Sequence, residues 1–427
     1  MLESTFSKFF GEKHRTLVVW SIIAASAVVH TPAQFVIHRL LNAPPSVSLA
    51  VFQSTQFIYA VNAVRGFIFL LSTGILLFTF IRPVADFFSA RKVDLPLRKI
   101  FQNSLVVFFI SCILVVPAKL GIMGAGYGQM SIDPFNFCDT TNQIYQRLLM
   151  PAIAYFLQFK GPEMFHFFSL IVTFCLIFFT LLFFEVNDIR TTLLERMSIA
   201  GTSFIITQFQ SPGYTEQCSL LIALVVLIVP MGTLPKIAAV SLALFAHEAS
   251  ILLFIVIALL YFSKEEKVWV GVVILVYVSF WMMSYSFHFG KIVEVRTVSG
   301  LSGFGWLAAH PLRELGGIVM SYKLLWIVFA VALFHHSVEL KRLLLLILPG
   351  IAAVVFAVDS TRLMAFAFIG ILLAVVYVKK LALIPERNLQ LIFLLNLCLP
   401  SVYIGLNSRL VYFDGLYQML YRGYFFR

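Results

Sequence analysis

Ionisable residues are sparse in this chain, and their spacing is the first clue to chemistry. Asp133 and Asp139 share one polar stretch, and Glu163 opens the apolar run that follows. Glu216 closes the turn Ser211-Pro212-Gly213-Tyr214-Thr215-Glu216. Glu248 follows His247 between two apolar runs, and Asp359 begins the turn Asp359-Ser360-Thr361-Arg362. Charges near a bilayer are costly, so they usually face a cavity and mark function. Arg147 stands at the start of Asn142–Lys160, a stretch with helical apolar spacing that is too short to span and reads as an interfacial helix. An arginine at the rim of a polar basin can clamp a phosphate through two parallel hydrogen bonds.

Each residue also has a plain structural reading. Asp359 and Arg362 suit a capped turn with an i,i+3 pair. His247-Glu248 suits a satisfied polar pair between helices. Glu216 complements the positive end of a helix dipole. Asp133 before Pro134 is turn chemistry, and Asp139 before Thr140 suits a helix N-cap. Arg147 suits a snorkelling interfacial arginine. What separates function from structure is whether residues from different hairpins share one side.

That side is set by the elements between them. Of 427 residues, 60% are hydrophobic and 12% charged, and mean hydropathy is +0.95. Soluble domains run at about 45–50% and about 25%. The composition points to an all-α polytopic membrane bundle forming a single transmembrane domain over 1–427. The apolar runs do not alternate as outer-membrane strands would. They lie near 16–35, 64–82, 103–122, 163–184, 197–210, 217–232, 235–247, 249–262, 268–287, 316–335, 343–358, 362–379 and 389–406. Several fall short of the ~20 residues that cross a bilayer. The 235–262 stretch reads as two short helices turning at His247-Glu248. With the N-terminus cytoplasmic and the C-terminus outside, the inner segments then hold 18 of the 31 Lys and Arg residues, matching the positive-inside bias.

In this arrangement of about 13 spans, the acids, Arg147 and Arg362 all fall on the outer face. The outer segments include 123–162, with its interfacial helix and a Gly-rich turn at 124–128, and the basic loop 288–315. That loop carries Arg296, His310 and Arg313, suited to a lipid-linked phosphate or to anionic headgroups.

Several classes are disfavoured. Net charge is +11, but no basic run interleaves with aromatics, so nucleic acid is not an expected partner. No P-loop motif occurs and no inner segment is long enough for a cytosolic domain, so ATP is not expected either. The five cysteines have no CxxC spacing, and no metal site is assigned.

Many short helices, an N-in orientation and an outer acidic loop beside an interfacial helix resemble the GT-C superfamily of integral membrane glycosyltransferases. The residues carrying the likeness are Asp133, Asp139, the stretch Tyr145–Pro151, Glu216 and His247-Glu248. One departure is that loop 38–63 has no acid, whereas the superfamily places its catalytic Asp after the first helix.

The resemblance implies a sugar moved from a polyprenyl-phosphate donor to a glycan or lipid acceptor at the outer face of a bacterial inner membrane. It implies Asp139 or Asp133 as general base. Arg147, with Arg296 or Arg362, would hold the phosphate, and Glu216, His247, Glu248 and Asp359 would form the supporting cluster. Some members use a divalent cation, for which Asp133, Asp139 and Glu248 offer oxygens; no cofactor is otherwise expected. A surface-polysaccharide polymerase or ligase is the nearest rival, shifting weight to Arg296, His310 and Arg313. A transporter or flippase is the other, though no internal repeat supports it.

Overall fold

Long apolar stretches must satisfy their own backbone polar groups, and helices do so locally. The computed structural model describes residues 71–75, 79, 97–115, 122–135, 147–284, 303–335, 340–356, 359–399, 401–404 and 411–412. These are mostly helical. The exception among them is a two-residue antiparallel pairing of β1 (Val402–Tyr403) with β2 (Val411–Tyr412). The run expected at 16–35 lies outside the described residues, as does most of 64–82.

In chain order the helices begin with α1 (Leu97–Val115), α2 (Ile122–Met130), α3 (Leu149–Phe156), α4 (Gly161–Val186), α5 (Leu193–Ala200) and α6 (Ser203–Gln210). Then come α7 (Glu216–Ile228), α8 (Thr233–Ala246), α9 (Ser250–Tyr261) and α10 (Lys264–Ser284). The last group is α11 (Gly303–Ala309), α12 (Pro311–Tyr322), α13 (Leu325–Phe334), α14 (Leu340–Phe356), α15 (Ser360–Leu363), α16 (Phe368–Lys380) and α17 (Glu386–Cys398).

Among the described residues, three helical stretches are long and apolar enough to cross a membrane: α1, α4 and the run Ser360–Lys380 from α15 through a 3-10 turn into α16. The bent pair α12–α13 makes a fourth if counted as one span. These apolar helices make the chain a membrane protein. The Ser360–Lys380 run is its centre, with 94% of its apolar window buried by neighbours against 28% for α1. On α1, Phe109 and Ile113 are correspondingly exposed.

The break expected at His247-Glu248 is present. His247 is extended, with φ −159° and ψ 134°, between α8 and α9. Lys236, in the first turn of α8, bonds Glu266 Oε1 at 2.9 Å and lies 5.2 Å from the Phe262 ring just beyond α9. The far ends of the two helices therefore lie together, and the pair is a hairpin with His247-Glu248 at its tip.

The opposite face of the bundle holds a second polar knot. Buried Glu195 caps α5 through Thr192, and accepts from Lys379 Nζ at 2.6 Å and Gln390 Nε2 at 2.7 Å. The segments 185–196 and 379–388 thus meet, as their shared side in the sequence reading requires.

Other expectations need correction. The run 197–210 is two helices, parted at Gly201-Thr202, where the Thr202 hydroxyl donates to Ile199 O at 2.9 Å. The run 316–335 bends by 88° at Lys323, which has φ 51°. Buried Asn396 accepts there from the backbone N–H groups of Leu324 and Leu325 at 2.8 and 3.3 Å. The Lys323 ammonium reaches Leu399 O at 2.8 Å, beyond α17, so each broken end finds a polar partner.

The Gly-rich stretch expected as a flexible turn is helix α2. Gly128 packs so close to α4 that an added Cβ would sit 2.5 Å from Pro162 Cα. Loop 288–315 is helical from Gly303 onward. Among the described residues 147–160 the helix is α3, and it buries Leu149, Met150 and Ala152 where an interfacial helix would expose more of its surface.

Candidate functional site

Six side chains from four separate stretches meet at the tip of the α8–α9 hairpin. Arg147 precedes α3. Glu216 is the first residue of α7, held in place by the turn through Gly213, whose φ of 108° suits glycine. His247 and Glu248 form the hairpin tip, and Asp359 and Arg362 flank the start of α15.

The contacts form a chain of alternating charge. Arg147 donates from Nε to Glu248 Oε2 at 2.9 Å and from Nη2 to Oε1 at 2.7 Å. Its third nitrogen, Nη1, donates to the Tyr127 hydroxyl at 3.0 Å. His247 Nδ1 lies 3.6 Å from Glu248 Oε2, and its Nε2 lies 3.2 Å from Glu216 Oε1. The same Glu216 oxygen is 3.3 Å from Arg362 Nε, which is also 3.0 Å from Asp359 Oδ2. Tyr403 donates to Asp359 Oδ2 at 2.5 Å, and Tyr214 lies under the Arg362 guanidinium at 4.3 Å.

Local folding explains the imidazole. The backbone N–H of Ala249 donates to His247 Nδ1 at 3.1 Å, tightening the turn into α9. With Nδ1 accepting, the neutral ring carries its proton on Nε2, facing Glu216. Phe366, in the 3-10 turn, packs 5.4 Å from the ring.

The cluster is nearly dry. Glu216 is fully buried, and the most exposed of the six side chains, Glu248, is 15% exposed. The water-filled basin expected from the sequence is instead a packed polar seam, because neighbouring helix ends close over it. Beyond these ion pairs, three buried polar atoms here have no hydrogen bond: Thr215 Oγ1, Glu216 Oε2 and Asp359 Oδ1. Such groups are rare in interiors, where each costs about 1–3 kcal/mol.

The sequence-derived residues divide as follows. Arg147, Glu216, His247, Glu248, Asp359 and Arg362 come together. Arg147 is buried, not at a rim. Asp133 does not join them: it is exposed in the turn after α2, where Pro134 turns inward instead. Asp139 and Arg296 lie outside the described residues. His310 caps α12, and Arg313 stacks 5.2 Å from Trp306, whose indole N–H donates to Glu314 at 3.1 Å. Tyr127, Tyr214, Thr215, Glu314, Ser360 and Tyr403 were not singled out from the sequence. Aromatic and hydroxyl residues are too common in membrane helices for their type alone to betray them, and Glu314 reads locally as an acid in the first turn of a helix.

Among the described residues no group of three or more His, Cys, Asp or Glu side chains could hold a metal ion. Chemically, the seam pairs two arginines with three carboxylates and one imidazole, so an anion would reach a guanidinium only by displacing a carboxylate, which would then be free to accept a proton. No family model, no curated protein and no solved structure matches the chain.

Proposed function

We propose that the chain is an integral membrane glycosyltransferase. It moves a sugar from a polyprenyl-phosphate donor to an acceptor glycan or lipid at the outer face of a bacterial cytoplasmic membrane. About 13 spans, an inner N-terminus and an outer C-terminus complete the proposal, with the Glu195–Lys379 knot inside and the Arg147–Asp359 cluster outside.

The observation that supports it best is the meeting of six charged or titratable side chains at one end of the central run. That run has 21 residues, so at 1.5 Å per residue it is ~30 Å long, one hydrocarbon thickness. Arg362 stands near its first end and Lys379 near its last. A transporter places its polar site near mid-depth, which is a poor match.

In the proposed reaction the acceptor oxygen attacks the anomeric carbon, and the bond from that carbon to the phosphate oxygen breaks. The acceptor proton passes to a carboxylate, and Arg147 and Arg362 take up the charge of the departing phosphate. With Asp133 apart from the cluster, Glu216 and Glu248 are the described carboxylates best placed for the proton; Asp139 remains the expected base beyond the described residues. Arg313 and Glu314 of α12, with Trp306 of α11 against them, favour the polymerase or ligase variant as the second reading, since they extend the polar cluster toward the basic loop.

The test is direct. Purified protein in lipid discs is incubated with radiolabelled polyprenyl-phosphate sugars and membrane acceptors. Release of polyprenyl phosphate with transfer of label supports the reading, and Arg147→Gln should abolish it. Solute flux in proteoliposomes, with no transferred label, would sink it.

A further inference from the structure

A groove of about 570 Å³ runs beside the cluster, between α8 and α10. Ile237, Ser241 and Phe245 of α8 face Trp269, Val273 and Tyr277 of α10 across it. Both sets recur every fourth residue, so each helix offers one continuous stripe. Ser72 and Ile75 form a third wall, and Ser72 donates to Ser241 Oγ at 2.8 Å. That bond keeps the Ser72 proton within the wall.

The groove has polarity along its length. Exposed Glu265 and half-buried Thr233 stand at one mouth, by the Lys236–Glu266 pair. The other end is bordered by the Phe245 and Tyr277 rings, 5.9 Å apart and nearly perpendicular. Phe245 is two residues from His247. Phe245, Ala246 and Tyr277 pack in one apolar cluster with Tyr127 and Leu148, the neighbours of Arg147. From Thr233 to Phe245 the stripe is ~18 Å long at 1.5 Å per residue.

We infer that this groove holds the hydrocarbon tail of a lipid phosphate whose headgroup engages Arg147 and its partners. The inference rests on the donor reading above and deepens it by assigning the tail a path. The groove's volume lies within the roughly 300–1,000 Å³ of ligand pockets and is too small for a packed helix. Its lining is almost wholly apolar. Its inner end adjoins a buried arginine fork of the geometry that grips phosphate.

The test uses dodecyl phosphate carrying a diazirine at the end of its chain, in lipid discs, with labelled peptides mapped by mass spectrometry. Label on α8 and α10 peptides should exceed that on the lipid-facing Phe109–Ile113 segment severalfold. It should fall to background in Ser241→Trp and in Val273→Trp, either of which fills the groove. A phosphatidylcholine probe with the same diazirine should not label the groove preferentially. Equal labelling by the two probes, or scatter over lipid-facing helices, overturns the inference. If dodecyl phosphate still raises the melting temperature in an Arg147-dependent way while the groove stays unlabelled, the tail path is wrong and the headgroup reading survives. If no Arg147-dependent binding occurs at all, both fall together.

Discussion

Arg147 and Glu248 lie 101 positions apart in the chain and join through two parallel hydrogen bonds, of 2.9 and 2.7 Å. The guanidinium fork therefore already grips a planar anion in the described state. An incoming phosphate would compete with Glu248 for the same two nitrogens and would free that carboxylate.

The pair gives a stability prediction. Removing one partner of a buried ion pair leaves an uncompensated charge and costs about 3–5 kcal/mol, whereas removing both is often close to neutral. Arg147→Met and Glu248→Met should each lower the melting temperature strongly, and the double variant should recover most of the loss. A double-mutant cycle measured by thermal unfolding checks it; simple additivity would show that the pair does not stabilise the fold.

His247 does two jobs that substitutions can separate. Asparagine places an oxygen near the position of Nδ1 and can still accept from Ala249, but it cannot reach Glu216. His247→Asn is expected to melt within about 1 kcal/mol of the parent, on the scale of one retained hydrogen bond, and to lose sugar transfer. Full activity in this variant would remove the His247–Glu216 contact from the mechanism.

Two glycines should respond in opposite directions. Gly128→Ala forces α2 away from Pro162 and should destabilise by about 1–3 kcal/mol, as overpacking does. Gly271, on α10, has nothing within 4 Å of an added Cβ. Gly271→Ala should therefore stabilise by up to about 1 kcal/mol through helix propensity. Comparing the two melting curves checks the α2–α4 contact.

Orientation can be read with an impermeant thiol reagent in a background lacking the native cysteines. Gln158 and Arg387 are both exposed, on the cluster side and the Glu195–Lys379 side respectively. Gln158→Cys should label in intact cells, and Arg387→Cys only after permeabilisation. The reverse pattern would place the cluster in the cytoplasm and exclude the proposed donor face.

Composition alone decides the class of this protein, because so many apolar residues leave helices in a bilayer as the stable solution. Charge asymmetry and the short runs also made it legible that Arg147, Glu216, His247-Glu248 and Asp359-Arg362 share a face, since hairpin tips of one parity lie on one side. Tertiary structure decided the rest. The bend at Lys323 depends on Asn396, 73 positions away, and helix α2 depends on packing against Pro162. The burial of Glu216 between His247 and Arg362 likewise depends on three distant segments. Such features have no local signature: an 88° bend or a closed polar seam is stabilised by contacts between segments, and hydropathy along the chain reports only on each segment's relation to solvent.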